Sequence, residues 1–368
     1  MCYNFRFMNS SSPLGRLAAL LLLVVSLASC GSDLAQSVTP TPTAFGKINA
    51  LTVIADSSLW QAGISDSVDY FFGAPYIILP QPEPIFDINY ISPERLSGQP
   101  TWQQLRNYIV MADLSDDNSP TTQMVLGDMT DEKIQQVRRE GFGTAVANNK
   151  WAVGQQLIYL MGKDLTELKR GLSTAYPAVV KRIKLREEDR IGATTYFEGA
   201  GNRSIEKTVL ERTGARLRIP GDYQLAPLED TSVVWLRKDI PEGSVNIMMS
   251  TVPYENQSQL TREGLKSLRN QLGEKYISST TPGTFMRIND HDLPLFMETT
   301  DLNGNYALEG RGIWEMENGY MAGPFVSYLV HDPEQENLLF IDGFVHAPGK
   351  KKRNLMEELT YVLRTTDY

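Results

Sequence analysis

The apolar positions fall into one dense run and then two differently patterned halves. The run is Leu17 to Leu27, behind Arg6 and Arg16. It is too short to cross ~30 Å of hydrocarbon as a helix and reads as the apolar centre of a signal peptide, residues 1–29. From Lys47 the first half alternates short apolar, β-branched runs with helical patterns. Ile48 to Ala55, Ile85 to Ile91, Tyr108 to Leu114 and Ala152 to Met161 are predicted strands. Helices are predicted after the capping residues Asp56, Thr130 and Asp164, with a short one over Trp102 to Asn107. The helix after Asp164 carries Leu165, Leu168, Leu172, Tyr176, Val179 and Ile183 on one face, with a kink expected at Pro177. The charged stretch Lys181 to Arg190 then marks a domain boundary, so residues 47–190 are expected to form an α/β domain.

Residues 191–368 carry hairpin signals. Predicted strands Leu295 to Thr300, Tyr306 to Met316 and Tyr320 to Val330 are separated by Asn303-Gly304 and Asn318-Gly319, which predicts an antiparallel meander. Strands are also expected at Ser232 to Arg237, Val245 to Val252 and Leu338 to Val345. Helices are expected around Ile205 to Glu211, through Leu265, Leu268 and Leu272, and through Leu355, Leu359, Val362 and Leu363. The last must cover the sheet, because its apolar stripe has nowhere else to go. The fold class is therefore α+β: two α/β-type domains, the C-terminal one an antiparallel sheet covered by helices. The strand and helix of Ala152 to Ile183 echo those of Leu338 to Leu363, which raises a duplicated fold.

Three stretches resist this pattern. Pro75 to Pro84 alternates proline with other residues and reads as extended, polyproline-like chain, with Tyr76 and Ile78 packing on the domain. Ser115 to Pro120 is a polar turn without the ligand order of a calcium loop. Gly141-Phe142-Gly143 begins like a dinucleotide fingerprint but has Val146 where the third glycine belongs, and reads as a bend.

Charge and cysteine usage narrow the setting. Beyond residue 29 the chain keeps 33 basic and 44 acidic residues, a net charge of −11, with Lys350 to Arg353 its one basic cluster. Nucleic acid is excluded as an expected partner, since phosphate binding needs a concentrated basic face. The two cysteines are Cys2, inside the signal segment, and Cys30, so neither a disulfide nor a cysteine-held metal is expected. Leu27-Ala28-Ser29-Cys30 resembles the lipobox of bacterial lipoproteins. That resemblance implies cleavage before Cys30, lipidation of its thiol, and attachment to the cell envelope, in the outer membrane facing the periplasm. Residues 30–46, rich in Ser, Thr and Pro, are the expected tether.

Leu217 to Tyr223, Arg311 to Met316 and Phe340 to Lys350 resemble segments of the Bacteroidota lipoprotein family catalogued as domain of unknown function 4837, a likeness running from about Lys47 to the C-terminus. That family brings no assigned activity and no catalytic residues. The order of elements from Arg218 onward is also similar to PsbP/Mog1-like domains, mostly binding or assembly factors.

Few motifs carry chemistry. His291, His331 and His346 are too dispersed for a zinc motif, and no Gly-x-Ser-x-Gly occurs. Gly343 to Lys350 approximates a phosphate loop, with one residue too many between the glycines and Lys351 where Ser or Thr would hold magnesium. No metal or cofactor is therefore expected. One constellation stands out: Glu309, Arg311 and Glu315 alternate along a predicted strand and share one of its faces. They fit a structural ion pair or an acid/base set with an arginine clamp. The expectation is thus a lipid-anchored envelope protein of non-enzymatic binding or assembly role, its partner an envelope protein or small ligand. The alternative is an envelope glycan or peptide hydrolase using Glu309 and Glu315.

Overall fold

Residues 40–197 and 201–368 are described by the computed structural model, so the signal segment, Cys30 and the start of the tether lie outside the described residues. The end of that tether is already docked: Thr43 and Phe45 bridge to Val153 and Leu105, and Ala44 is buried.

The first half builds one five-stranded sheet from Ala50–Ile54 (β1), Asp87–Ile91 (β2), Asn107–Asp113 (β3), Phe142–Asn148 (β4) and Gln156–Gly162 (β5), in the order β2-β1-β3-β5-β4. All pairings are parallel except that of β4, which runs antiparallel to β5 at the edge. β5 is buried throughout and β3 almost throughout, which is why their sequences read as continuous apolar runs. Helices cover both faces. Ser65–Phe72 (α1) and the long helix Leu165–Thr195 pack on one, through Val68, Phe72, Leu168 and Leu172. Pro93–Gly98 (α2), Pro120–Asp128 (α3) and Asp131–Glu140 (α4) pack on the other, through Leu96, Val125, Ile134 and Val137. The long helix is α5.

Two elements here differ from the sequence reading. Gly141-Phe142-Gly143 is no isolated bend: Gly141, at φ 92°, ends α4, and Phe142 starts β4. A Cβ on Gly143 would stand 2.5 Å from Val137, so the glycine lets α4 lie close to the strand. Helix α3 was not expected, although Ser119 caps it and Pro120 occupies its first turn, a start signal in its own right. Asp56, expected as a cap for the helical stretch that follows it, accepts instead from the Thr121 N–H of α3 at 2.9 Å.

The second half forms an antiparallel sheet of Gln224–Leu225 (β6), Val233–Ile240 (β7), Gly243–Pro253 (β8), Phe285–Asn289 (β9), Phe296–Leu302 (β10), Asn305–Glu317 (β11), Ala322–His331 (β12) and Asn337–His346 (β13). The meander β10-β11-β12-β13 stands as its hairpin signals require, Asn303 and Gly304 both taking the positive φ of a tight primed turn. Strand β9, which the sequence reading did not include, pairs with β11 beyond the point where β10 ends. Arg203–Thr213 (α6) and Arg353–Leu363 cover one face, through Val209, Leu359, Val362 and Leu363; Arg262–Tyr276 (α7) covers the other, through Leu265. The closing helix is α8. Because β5 has one parallel and one antiparallel neighbour while β13 is antiparallel to both of its own, the echo between the halves does not extend to their sheets.

Two stretches of chain carry the first half into the second. Helix α5 continues without a break through the charged stretch Lys181 to Arg190. Pro75 to Pro84 is not an extended arm. It folds back on itself, with Pro75 bridged to Pro84 and Ile78 at φ 65°. Leu79, 4% exposed, thereby enters the core of the second half, with Tyr76 packed against it.

Candidate functional site between the two halves

Two helix faces meet across the junction with the same spacing. On α5, Lys184, Glu187, Glu188 and Ile191 recur three and four residues apart; on and just beyond α8, Glu357, Thr360, Tyr361 and Arg364 do the same. Such spacing places each set on one side of its helix. Between them, closed by Tyr76 and by Arg311 of β11, is a cavity of ≈ 390 Å³. A second of ≈ 340 Å³ continues along β10, sharing Tyr76, Lys184 and Arg311 with the first.

Asn49 ties the inner wall together. It sits at φ 62°, where its backbone N–H donates to Glu187 at 2.9 Å and its amide nitrogen to Glu357 at 2.6 Å. Glu187 also accepts from Asn107 and Arg190. Burial pushes its carboxyl above the ordinary range, partly offset by the Asn49 and Asn107 donors. Lys184 is held below its ordinary value by burial, against the pull of Glu357. Its ammonium donates to Asn49, to the Ile85 carbonyl and to Glu357, so all three of its protons are committed and it is not a free nucleophile.

The structure brings Glu309 and Arg311 together and leaves Glu315 apart. Glu309, 5% exposed, pairs with Arg311, and Arg364 stands 3.7 Å from it. Burial pushes the neighbouring Tyr328 hydroxyl up to about 12, with Glu309 adding to the shift. Glu315 instead pairs with Arg287 and accepts from Asn289, both on β9, and lines neither cavity. Six residues of extended strand separate the two glutamates by ~20 Å along β11. A glycosidase pair needs its carboxyl groups within roughly 5–9.5 Å, so these two cannot serve as one.

Other candidate positions are occupied from within. Open α/β sheets take ligands at the carboxyl ends of strands where the order reverses, here between β1 and β3. That crevice holds the Asp56 carboxylate on the start of α3. The phosphate-loop-like segment leads into α8, whose first N–H groups, Lys352 and Arg353, donate to the Glu83 carboxylate. In the polar turn, Asp117 pairs with Arg138. His291 is exposed, and His331 packs on Tyr254. Among the described residues no group of three His, Cys, Asp or Glu is placed to hold a metal, and no helix is long and apolar enough to cross a membrane.

Asp87 of β2 adds a contact that responds to pH. Burial raises its carboxyl, but hydrogen bonds from Arg353 at 2.7 Å and Lys351 at 3.1 Å outweigh this and hold it below its ordinary value. The stabilisation is complete above the unfolded carboxylate's pKa and is lost as pH falls through the lowered folded value. Thermal midpoints measured from about pH 6 to about pH 2 should therefore fall less steeply for Asp87→Asn than for the parent. Equal slopes would show that this contact does not link the halves to pH.

Tyr76, Lys184, Glu187, Glu188 and Arg364 were not anticipated as site residues. The three-and-four spacing in Lys184 to Ile191 and in Glu357 to Arg364 was the available signal. Nothing in it told which faces would meet.

No curated protein matches the chain. Among solved structures, human STARD10 is similar over 44% of this chain and 80% of that chain, at 6% identity and a TM-score of 0.20, which carries no argument. Residues 44–194 match a domain of unknown function, DUF8532. The likeness to DUF4837 thus does not run from Lys47: it begins past the end of α5, and residues 202–365, holding the antiparallel sheet and α8, match the family of domain of unknown function DUF4837.

Proposed function

We propose that this is a Bacteroidota lipoprotein, anchored in the cell envelope through a lipid on Cys30, with a non-enzymatic binding role in which an envelope partner or small ligand enters the cleft between the halves. The observation that carries the binding role is the cavity walled by α5, α8, Tyr76 and Arg311. Its size falls in the range of small-molecule sites, and its position between domains is where such sites concentrate. A non-enzymatic role is supported by the state of its reactive groups: Lys184, Glu187, Glu309 and Glu357 are each bonded to protein partners. The anchor rests on the apolar run that ends at Cys30. Two acyl chains at one site would satisfy the two-signal requirement for stable membrane attachment.

The test uses the full chain, purified from solubilised envelopes with whatever it retains. Glu188, half exposed at the cavity mouth, is replaced by Trp to fill it. The material retained by the parent should be missing from Glu188→Trp and present in a control at an exposed site on α6, Glu211→Trp. Retention by all three would remove the cleft as the binding site. Cys30→Ala should leave uncut precursor or release the protein from membranes, and a variant that is cut yet still fractionates with membranes would remove the anchor.

A further inference from the structure

Not every polar group in the cavity has a partner. Arg364 lies just past the end of α8, half exposed, and the charged groups nearest its guanidinium are Glu188 and Glu309, each at 3.7 Å and beyond hydrogen-bond length, with the Tyr328 hydroxyl its neighbour on the sheet side. Glu188, equally exposed, has Arg364 as its ion-pair partner at that distance. Thr360, 7% exposed and on the wall of the same cavity, has a buried hydroxyl with no hydrogen-bond partner. A buried hydroxyl without a partner costs free energy, and one on a cavity wall is relieved when a polar ligand enters. Beside these groups the wall is apolar: Ile191 is buried, and the ring of Tyr361 packs near that of Tyr196.

The charge balance limits what can enter. Lys184, Arg311 and Arg364 face Glu187, Glu188, Glu298, Glu309 and Glu357 across the two cavities. A phosphate or dicarboxylate would meet an excess of carboxylates. A simple cation would leave the Arg364 fork unused. In the first cavity the two loosely paired groups are one cation and one anion, side by side at the mouth, which matches a ligand carrying both charges.

Resting on the reading of the cleft as a binding site, we propose that it takes a zwitterion of the amino-acid type, a free amino acid or short peptide with an apolar side chain. Its carboxylate lies on the Arg364 guanidinium, its ammonium on Glu188, and its side chain against Ile191 and Tyr361. A polar atom of the ligand satisfies the Thr360 hydroxyl.

The test is calorimetric titration of the full chain with leucine and with the dipeptide Leu-Leu, alongside the dipeptide's N-acetyl and C-amide forms. At least one of leucine and Leu-Leu should bind, and the relative strength of the two reports whether the natural ligand is a free amino acid or a peptide. Acetylation and amidation should each weaken binding by about tenfold or more, the loss expected when a charge-assisted contact is removed. Arg364→Gln should abolish the penalty for amidation and leave that for acetylation; Glu188→Gln should do the reverse. Binding of neither zwitterion, or penalties unchanged in both variants, overturns the proposal. If at the same time Glu188→Trp still strips the retained material, the cleft remains the binding site and only the ligand class is wrong. If that variant strips nothing, both readings fail together.

Discussion

Asp342→Ala is expected to destabilise the protein by about 3–5 kcal/mol, the loss typical of removing one member of a buried ion pair. Asp342 of β13 and Arg269 of α7 are each 1% exposed and meet at 2.9 Å in the middle of the second half. Ser327 donates to the same carboxylate oxygen at 2.6 Å, and the guanidinium lies over the ring of Phe325 at 3.7 Å. Without Asp342, Arg269 becomes a buried cation with no counterion, and one nitrogen of its guanidinium already lacks a hydrogen-bond partner. The cost arises from stranding a charge, so removing the whole group should recover most of it. The combination Arg269→Met, Ser327→Ala and Asp342→Leu is expected to lie much closer to the parent in urea denaturation than Asp342→Ala does. A triple variant as unstable as the single one would mean that the pair contributes stability in its own right.

Glu83→Ala should cost about 2–4 kcal/mol, since it removes two charge-assisted hydrogen bonds and leaves their donors buried. The carboxylate accepts from the Lys352 and Arg353 N–H groups, and those donors have no intrahelical acceptor because they open α8. The cap comes from the other half of the molecule, so the loss should act on the junction as well as on the helix. Limited proteolysis should cut the Pro75 to Pro84 loop faster in Glu83→Ala than in the parent. Glu83→Gln retains one acceptor oxygen and should lose roughly half as much. A loop equally resistant in Glu83→Ala and the parent would show that its other contacts, with Leu79 and Tyr76 in the core, suffice to hold it.

The sequence made the meander legible because its determinants are local. Asn303-Gly304 sets a two-residue turn, and alternation sets the face; both act within a few residues. The same holds for the stripe Leu359, Val362 and Leu363 and for the apolar runs of β3 and β5. Strand β4 was missed because two glycines flank Phe142, and β9 because its residues Phe285 to Asn289 sit in polar, turn-rich chain. Glu309 and Arg311 were readable as a pair since neighbours two apart on a strand share a face. Glu315 is six extended residues from Glu309, a separation the numbering already carries, and what was not anticipated is β9, which takes over the edge of β11 and supplies its partner Arg287. The cavity itself depends on contacts such as that of Asn49 with Glu357, 308 residues apart, which no local pattern encodes. Arg269 shows the same limit inside a helix that was otherwise predicted: four residues from Leu265, it points into the core with the leucine.

The docking of the Pro75 to Pro84 loop also sets an order of events during synthesis. Glu83 and the Lys352 N–H that it accepts from are 269 residues apart. At translation rates of about 5–20 residues per second, the loop leaves the ribosome roughly 15–50 s before the helix that it caps. Through that interval the nascent first half carries Leu79 without a core to enter and a carboxylate without its donors. A ribosome-bound chain halted before residue 353 is accordingly a form in which this loop is open to chaperones and proteases, and synthesis of α8 closes it.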